Sequence, residues 1–187
     1  MTDFVIICHG STEMILSTWL RETTGLPIHI DGKNDGHNAI MLNNLVEFMK
    51  DNGYYSVSRL KRRFPDIEYR HRAGLKDLIL FIVMDVDVDR KLVNGFVTKK
   101  MFEDCPLRDN IVPILSNKSL DDVMKRIGFL LGSYDKLEEY KQVLNKISLK
   151  ELYLRVNGRD DTNLDVMLSL ILEHVDRYQN QSWLCQQ

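Results

Sequence analysis

Apolar positions form short continuous runs in the first two thirds of the chain, and stripes with helical spacing lie between them. The runs at residues 4–8 and 78–84 are typical of strands that are covered on both faces. Shorter runs at residues 28–30 and 111–115 predict two further strands, and Pro113 in the last one suggests a sheet edge or a strand end because proline lacks a ladder donor. This alternation predicts an α/β fold with a mostly parallel central sheet flanked by helices.

Apolar residues spaced three and four apart predict the helices between the strands. Three stripes are clear: Ile15, Leu16, Trp19 and Leu20; Ile40, Met41, Leu45, Phe48 and Met49; and Leu120, Val123, Met124 and Ile127. From residue 133 onward the pattern is helical throughout, with one charged helix at residues 135–154 and a second at residues 162–178. We therefore expect an α/β domain at residues 1–130 and a helical C-terminal extension at residues 131–187 that packs on it.

Charge and composition argue against a highly basic nucleic-acid-binding protein, a membrane protein and a secreted disulfide-bonded protein. The 187 residues carry 25 basic and 27 acidic side chains, a formal net charge of -2, so any contact with nucleic acid must use a local patch. No apolar run approaches the roughly 18–20 residues that span a bilayer, and the first residues do not resemble a secretory signal. Three widely separated cysteines suggest neither disulfides nor a zinc site. We expect a cytoplasmic protein that does not enter a membrane.

Three acidic residues follow the most apolar strand. Asp85, Asp87 and Asp89 alternate with valines, so in extended backbone their carboxylates share one side, about 6–7 Å apart. Carboxylates this close repel one another unless a cation compensates, and Mg²⁺ or Mn²⁺ suits oxygen ligands. The alternative is a solvated strand end whose carboxylates pair with Arg90 and Lys91.

A polar turn follows the first strand. His9 can act as a nucleophile, metal ligand or proton carrier, and Glu13 lies just inside the next helix. Gly10 and Ser11 would allow a phosphate to approach the helix N-terminus. Because strand ends of a parallel sheet share one edge, we expect Ser116, at the end of the fourth strand, to line the same cleft. His-Gly after a first strand also resembles phosphocarrier domains, in which the histidine is phosphorylated.

A basic segment precedes the third strand and can contact phosphates without reading sequence. Its arginines are Arg59, Arg62, Arg63, Arg70 and Arg72. Tyr54, beside this segment, could stack on a base. The alternative for these residues is a solvated surface without a nucleic-acid partner.

The apolar strand that runs into Asp-x-Asp at residues 78–89 resembles the second motif of Toprim domains, found in topoisomerases, primases and overcoming-lysogenization-defect type nucleases. The strand, turn and helix at residues 4–20 resemble their first motif, with His9 where the family has glutamate. Residues 4–129 are also similar to small Toprim-like proteins that carry Cys-His-Gly there.

This resemblance implies a Toprim or Rossmann-like fold and a Mg²⁺-dependent phosphodiesterase or nuclease. Asp85, Asp87 and Asp89 would then hold the metal, and His9 or Glu13 would handle protons. The alternatives are a non-catalytic metal- or nucleotide-binding module, and a phosphocarrier that uses His9.

Overall fold

A parallel β-sheet forms the centre of the protein in a computed structural model, which describes residues 3–65, 78–86, 89–129 and 136–184. The strands in these ranges are β1 (Asp3–Cys8), β2 (Ile28–Gly32), β3 (Leu78–Val86) and β4 (Ile111–Asn117). They lie in the order β2-β1-β3-β4, and every neighbouring pair is parallel. The predicted α/β fold is confirmed and is Rossmann-like.

Helices cover both faces of the sheet. Their bounds are α1 (Ser11–Thr24), α2 (Leu45–Asp51), α3 (Val57–Arg63), α4 (Arg90–Val97), α5 (Leu120–Arg126), α6 (Lys136–Leu144), α7 (Leu149–Val156) and α8 (Leu164–Leu184). Phe4, Ile6 and Cys8 of β1 pack in the core formed with α1 and α5–α8. Val5 and Ile7 face the core formed with α2–α4. Burial on both faces explains why the strands are apolar at successive positions.

The chain leaves β1 toward one edge of the sheet and later returns to the other side of β1. α1 leads from β1 to β2, and the chain then crosses back over β1 to reach β3 on the other side. In open α/β sheets, the crevice at such a reversal, outside the carboxyl ends of the strands, is the usual place for a ligand. In this chain that crevice lies between the ends of β1 and β3.

Among the described strands β4 lies at one edge of the sheet, which is one of the two positions that Pro113 suggested. A short segment before α8 covers its outer side. The Leu115 N–H donates to Asn163 Oδ1 at 2.6 Å, and Asn163 Nδ2 donates to the Pro113 carbonyl at 2.9 Å. Ser116 and Thr162 also form an isolated antiparallel bridge. The side chain of Asn163 therefore occupies the hydrogen-bonding positions that a further strand would use.

Two predicted helices differ from the observed ones. The single helix expected at residues 135–154 is wrong: it is divided into α6 and α7, because the Ser148 hydroxyl accepts from the Glu151 N–H and starts a new helix. The helix expected from Ile40 begins later, with a 3₁₀ turn at Leu42–Asn44 followed by α2. The Ile40 N–H donates to the His9 carbonyl, and Met41, expected to be buried in the helix, has extended backbone and is 42% exposed.

The C-terminal helices share a core with the sheet. Tyr140 of α6, Leu152 of α7 and Leu168 of α8 are buried in the cluster that contains Phe4 and Phe81. The domain boundary at residue 130 stays a prediction, and residues 130–135 are outside the described ranges. In the part of the chain that the structure describes, no helix is long and apolar enough to cross a membrane.

Candidate functional site

A cavity of about 240 Å³ opens at the carboxyl ends of β1 and β3. The described residues that line it are His9, Gly10, Ser11, Thr12, Glu13, Gly36, His37, Ala39, Asp85, Ser119 and Asp121. Three of these side chains are carboxylic acids and none is a lysine or arginine. The cavity is therefore acidic, and it lies at the crevice that the strand order creates.

His9 is fixed by the backbone on two sides. Its N–H donates to the Val83 carbonyl at 3.0 Å, which continues the pairing of β1 with β3. Its carbonyl accepts from the Ile40 N–H at 2.8 Å, and its ring Nδ1 lies 2.8 Å from the Ile40 carbonyl oxygen. A carbonyl can only accept, so Nδ1 carries the proton and donates. In the neutral ring Nε2 therefore has a lone pair, and this nitrogen faces the cavity.

Asp85 lies directly opposite this nitrogen. Asp85 Oδ1 accepts from the Leu120 N–H, at the start of α5, at 3.0 Å. Asp85 Oδ2 is 3.8 Å from His9 Nε2, and the two side chains are 17% and 18% exposed. In its neutral form the ring thus directs an electron pair toward the carboxylate, across a separation that a metal ion could bridge.

Glu13 is a buried carboxyl in the first turn of α1, only 3% exposed. Its Oε2 accepts from the Gly10 N–H at 2.9 Å and caps the helix. Burial and, next, the charge of Asp85 raise the pKa of Glu13 from 4.5 to about 7. A carboxyl with a pKa near neutrality can both take up and release a proton at working pH.

The loop between β2 and α2 forms one wall of the cavity. Gly36 has φ +80°, and a Cβ there would come within 2.5 Å of Met14 Cγ and 3.4 Å of the Gly10 carbonyl oxygen. Only glycine fits this conformation and this contact. The close approach brings His37 and Ala39 to the cavity.

Two buried hydroxyls lie behind the cavity lining. Ser116 is the register partner of Asp85 on β4 and is fully buried. Tyr140 is 2% exposed. Among the described residues neither the Ser116 Oγ nor the Tyr140 hydroxyl has a hydrogen-bond partner. Burial raises the pKa of Tyr140, and the charges of Glu13, Asp121 and Asp85 raise it further.

Most residues predicted for the turn and the acidic run meet at this cavity. His9, Gly10, Ser11, Glu13 and Asp85 all line it. Ser116 does not line it but lies buried beside Asp85.

The rest of the acidic run is placed differently. Asp89 is the N-cap of α4, where its Oδ1 accepts from the Lys91 N–H at 2.9 Å. Asp87 lies outside the described residues. Within the described ranges, no three His, Cys, Asp or Glu side chains converge as a metal-binding group.

Asp121, His37 and Ser119 line the cavity although sequence reasoning did not select them. Ser119 has only the sequence signal of a helix cap, a serine three residues before Asp122, and its Oγ does accept from the Asp122 N–H. Asp121 could have been suggested by its place after the fourth strand, at the same sheet edge as Asp85. His37 lies in a loop whose contact with Met14 joins residues distant in sequence, so it had no local signal.

The basic segment is only partly described. Arg59 and Arg62 are exposed on α3, whereas Arg70 and Arg72 lie outside the described residues. Arg63 forms an ion pair with the buried Asp31 at the carboxyl end of β2. Tyr54 is fully buried and donates to Asp31 Oδ2 at 2.6 Å, so it is not available to stack on a base.

No protein family, curated protein or solved structure matches this chain.

Proposed function

We propose that this protein binds a divalent cation, Mg²⁺ or Mn²⁺, between the ends of β1 and β3 and cleaves phosphodiester bonds of nucleic acid there. The observation that carries the proposal is the pairing of His9 Nε2 with Asp85 Oδ2 at 3.8 Å. The Nδ1 proton of His9 is held by the Ile40 carbonyl, so a neutral ring directs a lone pair at the carboxylate. A metal ion bound between the two atoms would accept an electron pair from each.

The arrangement around His9 is the one found in metal-binding histidines. Such a histidine usually donates its second N–H to a carbonyl or carboxylate, which fixes the ring and its tautomer. The Ile40 carbonyl has that role here. Asp85 is held in the same way, because its Oδ1 is bonded to the Leu120 N–H while Oδ2 faces the ring.

The Asp85 carboxylate suits Mg²⁺ or Mn²⁺, which prefer oxygen ligands, and the imidazole nitrogen of His9 would be the weaker ligand of the two. Mg²⁺ commonly binds proteins through one or two carboxylates and keeps several waters for contact with phosphate. Asp85 and His9 would hold the ion, and Asp87 is the further ligand that we propose. When bound, the ion would supply positive charge for a phosphate in a cavity whose lining carries Glu13, Asp85 and Asp121 but no lysine or arginine.

Glu13 is the proposed proton-handling group. It lines the same cavity as Asp85, and its pKa of about 7 lets it act as base or acid. Its Oε2 remains anchored to the Gly10 N–H, which limits the positions that the carboxyl can take. Ser11 and Thr12 line the same cavity.

A polyanionic substrate is supported by the position of α3. The ion pair of Arg63 with Asp31 holds the end of α3 at the carboxyl end of β2, next to β1. Arg59 and Arg62 are exposed on that helix. A phosphate backbone that crosses this edge of the sheet would meet the metal site and these cations together.

The phosphocarrier alternative is less favourable. Nδ1 of His9 is committed to the Ile40 carbonyl, and Nε2 faces the Asp85 carboxylate. A phosphoryl group on Nε2 would place negative charges side by side.

The first test is metal binding measured as a shift in the thermal midpoint. At 100 times the dissociation constant a ligand specific for the native state adds about 2.7 kcal/mol, or roughly 5–10 °C for a chain of this size. Asp85→Asn should abolish the shift, because asparagine keeps the acceptor for the Leu120 N–H but loses the charge. Asp109→Asn, on an exposed turn remote from the cavity, is the matched control. An equal metal response in Asp85→Asn and wild type would disprove this site.

The second test is cleavage of labelled single- and double-stranded DNA and RNA with Mg²⁺ or Mn²⁺. We expect metal-dependent products that His9→Ala and Glu13→Gln both remove. Metal binding without cleavage of any of these substrates would support the alternative of a non-catalytic module.

A further inference from the structure

Tyr140 brings a buried hydroxyl toward the acidic cavity from behind. The residue lies on α6, which packs against α1, the helix that carries Glu13. Its side chain is 2% exposed and belongs to the core cluster that also contains Leu16 and Leu120. Among the described residues its hydroxyl has no hydrogen-bond partner.

The charged groups that act on this hydroxyl come from three elements. In decreasing order they are Glu13 of α1, Asp121 of α5 and Asp85 of β3, and each raises the pKa of Tyr140. Cys8 of β1 is fully buried in the same core cluster as Tyr140, and burial raises the pKa of its thiol. Glu139, beside Tyr140 on α6, has a buried Oε2 without a partner among the described residues. The surroundings of the hydroxyl are thus acidic, and they offer acceptors.

A buried hydroxyl that makes no hydrogen bond is costly and rare in folded proteins. Ordered internal water usually supplies the missing partner when polar groups surround the space. The Tyr140 hydroxyl and the Glu13 carboxyl are both almost fully buried, on two helices in contact. They are two of the partners that one such water requires.

We propose that Tyr140 is a positioning residue for Glu13, and that its hydroxyl donates through one buried water to the ionised Glu13 carboxylate. The Gly10 N–H binds the carboxylate from the helix side, and the water binds it from the α6 side. Together they fix the direction in which Glu13 faces the cavity. The use of this orientation in catalysis rests on the proposed function, but the hydrogen bond itself does not.

The experiment compares Tyr140→Phe in wild type and in Glu13→Gln, in buffer that contains a metal chelator. At about pH 8 the Tyr140 hydroxyl would donate, through the water, to an ionised Glu13. Removing the hydroxyl should therefore lower the thermal midpoint by about 4–8 °C. At about pH 5 Glu13 is protonated, and we expect the loss to be less than half as large. In the Glu13→Gln background the loss should also be less than half as large, at both values of pH. Tyr153→Phe, a half-buried tyrosine on α7, is the control and should show no such dependence on pH or on Glu13.

An unchanged or higher midpoint in Tyr140→Phe would overturn the proposal, since removing a hydroxyl that has no partner is neutral or stabilising. An equal loss with and without Glu13, or at both values of pH, would also overturn it. These readouts need no metal and no substrate. Failure of the proposed nuclease function would therefore leave the result of this experiment unaffected.

Discussion

The carboxyl of Glu13 has two roles that compete with each other. As a helix cap it accepts from the Gly10 N–H, which favours the charged form. Burial and, next, the charge of Asp85 disfavour the ionised form of Glu13. These two effects outweigh the hydrogen bond, so the pKa of Glu13 rises to about 7. The protein therefore keeps a proton on a carboxyl that would be ionised on the surface. That proton is the one the proposed chemistry can use.

Glu13→Gln should change how stability depends on pH. A carboxyl whose pKa is raised in the folded state stabilises the protein below its unfolded pKa of 4.5, and this contribution is lost as pH rises through about 7. Wild type should therefore lose on the order of 3 kcal/mol relative to Glu13→Gln between about pH 5 and pH 8. Urea denaturation in chelator measures this, with Glu22→Gln on the exposed side of α1 as control. A constant difference across this range would contradict the buried, proton-holding carboxyl.

At the scale of elements, the loop that follows β2 determines whether the cavity has a wall. Asn34, Asp35 and Gly36 are three successive residues with positive φ, which folds the loop tightly back on α1. Met14 of α1 is the side chain that Gly36 contacts, so the loop and the helix fix one another. The bonds between Ile40 and His9 complete this connection. The loop thus orients the imidazole as well as enclosing it.

Gly36→Ala should separate the loop from α1. The new methyl group would meet Met14 Cγ at 2.5 Å in a left-handed conformation, and we expect a loss of about 2–4 kcal/mol together with weaker metal binding. Gly158→Ala is the matched control, because Gly158 has φ +74° with no atom within 4 Å of the added carbon. The free energy of unfolding of Gly158→Ala should fall by only about 1 kcal/mol, which is the cost of placing alanine at positive φ. Its response to metal should be unchanged. Equal losses in the two variants would show that the contact with Met14 is unimportant.

At the scale of the whole molecule, the sequence predicts the sheet better than it predicts the site. Strands β1 and β3 are apolar at almost every position because both faces are buried, and this signal is local. The meeting of His9 with Asp85 follows from the rule that parallel strands share a carboxyl edge. Strand order alone then sets which ends are adjacent.

The missing parts of the site depend on contacts that have no local signature. Asp121 and Tyr140 reach the region of Glu13 only because α5 and α6 pack on the same face as α1. The division of the long charged segment into α6 and α7, by contrast, has a local cause in the Ser148 cap, and it lets both helices bury their apolar faces in one core.

Asn163→Ala should weaken the attachment of the segment that covers β4. The variant loses the acceptor for the Leu115 N–H and the donor to the Pro113 carbonyl, and we expect a loss of about 1–3 kcal/mol. Chemical denaturation measures this, and Asn157→Ala, an exposed residue at the end of α7, should stay within about 0.5 kcal/mol of wild type. A stability equal to that of wild type would mean that water replaces the asparagine at no cost.

The segment that covers β4 should also prevent another chain from pairing with this strand. An edge strand with open N–H and carbonyl groups is a template to which another chain can add, and this is a common start of aggregation. The Asn163 side chain occupies two of those groups, and the backbone of residues 161–163 and the Thr162 hydroxyl bond to the Asn117 N–H and the Leu115 carbonyl. Asn163→Ala should therefore form oligomers whose amount rises with protein concentration in light scattering, whereas wild type should not. A three-residue segment anchored by one amide side chain would then limit the sheet to a single molecule at this edge.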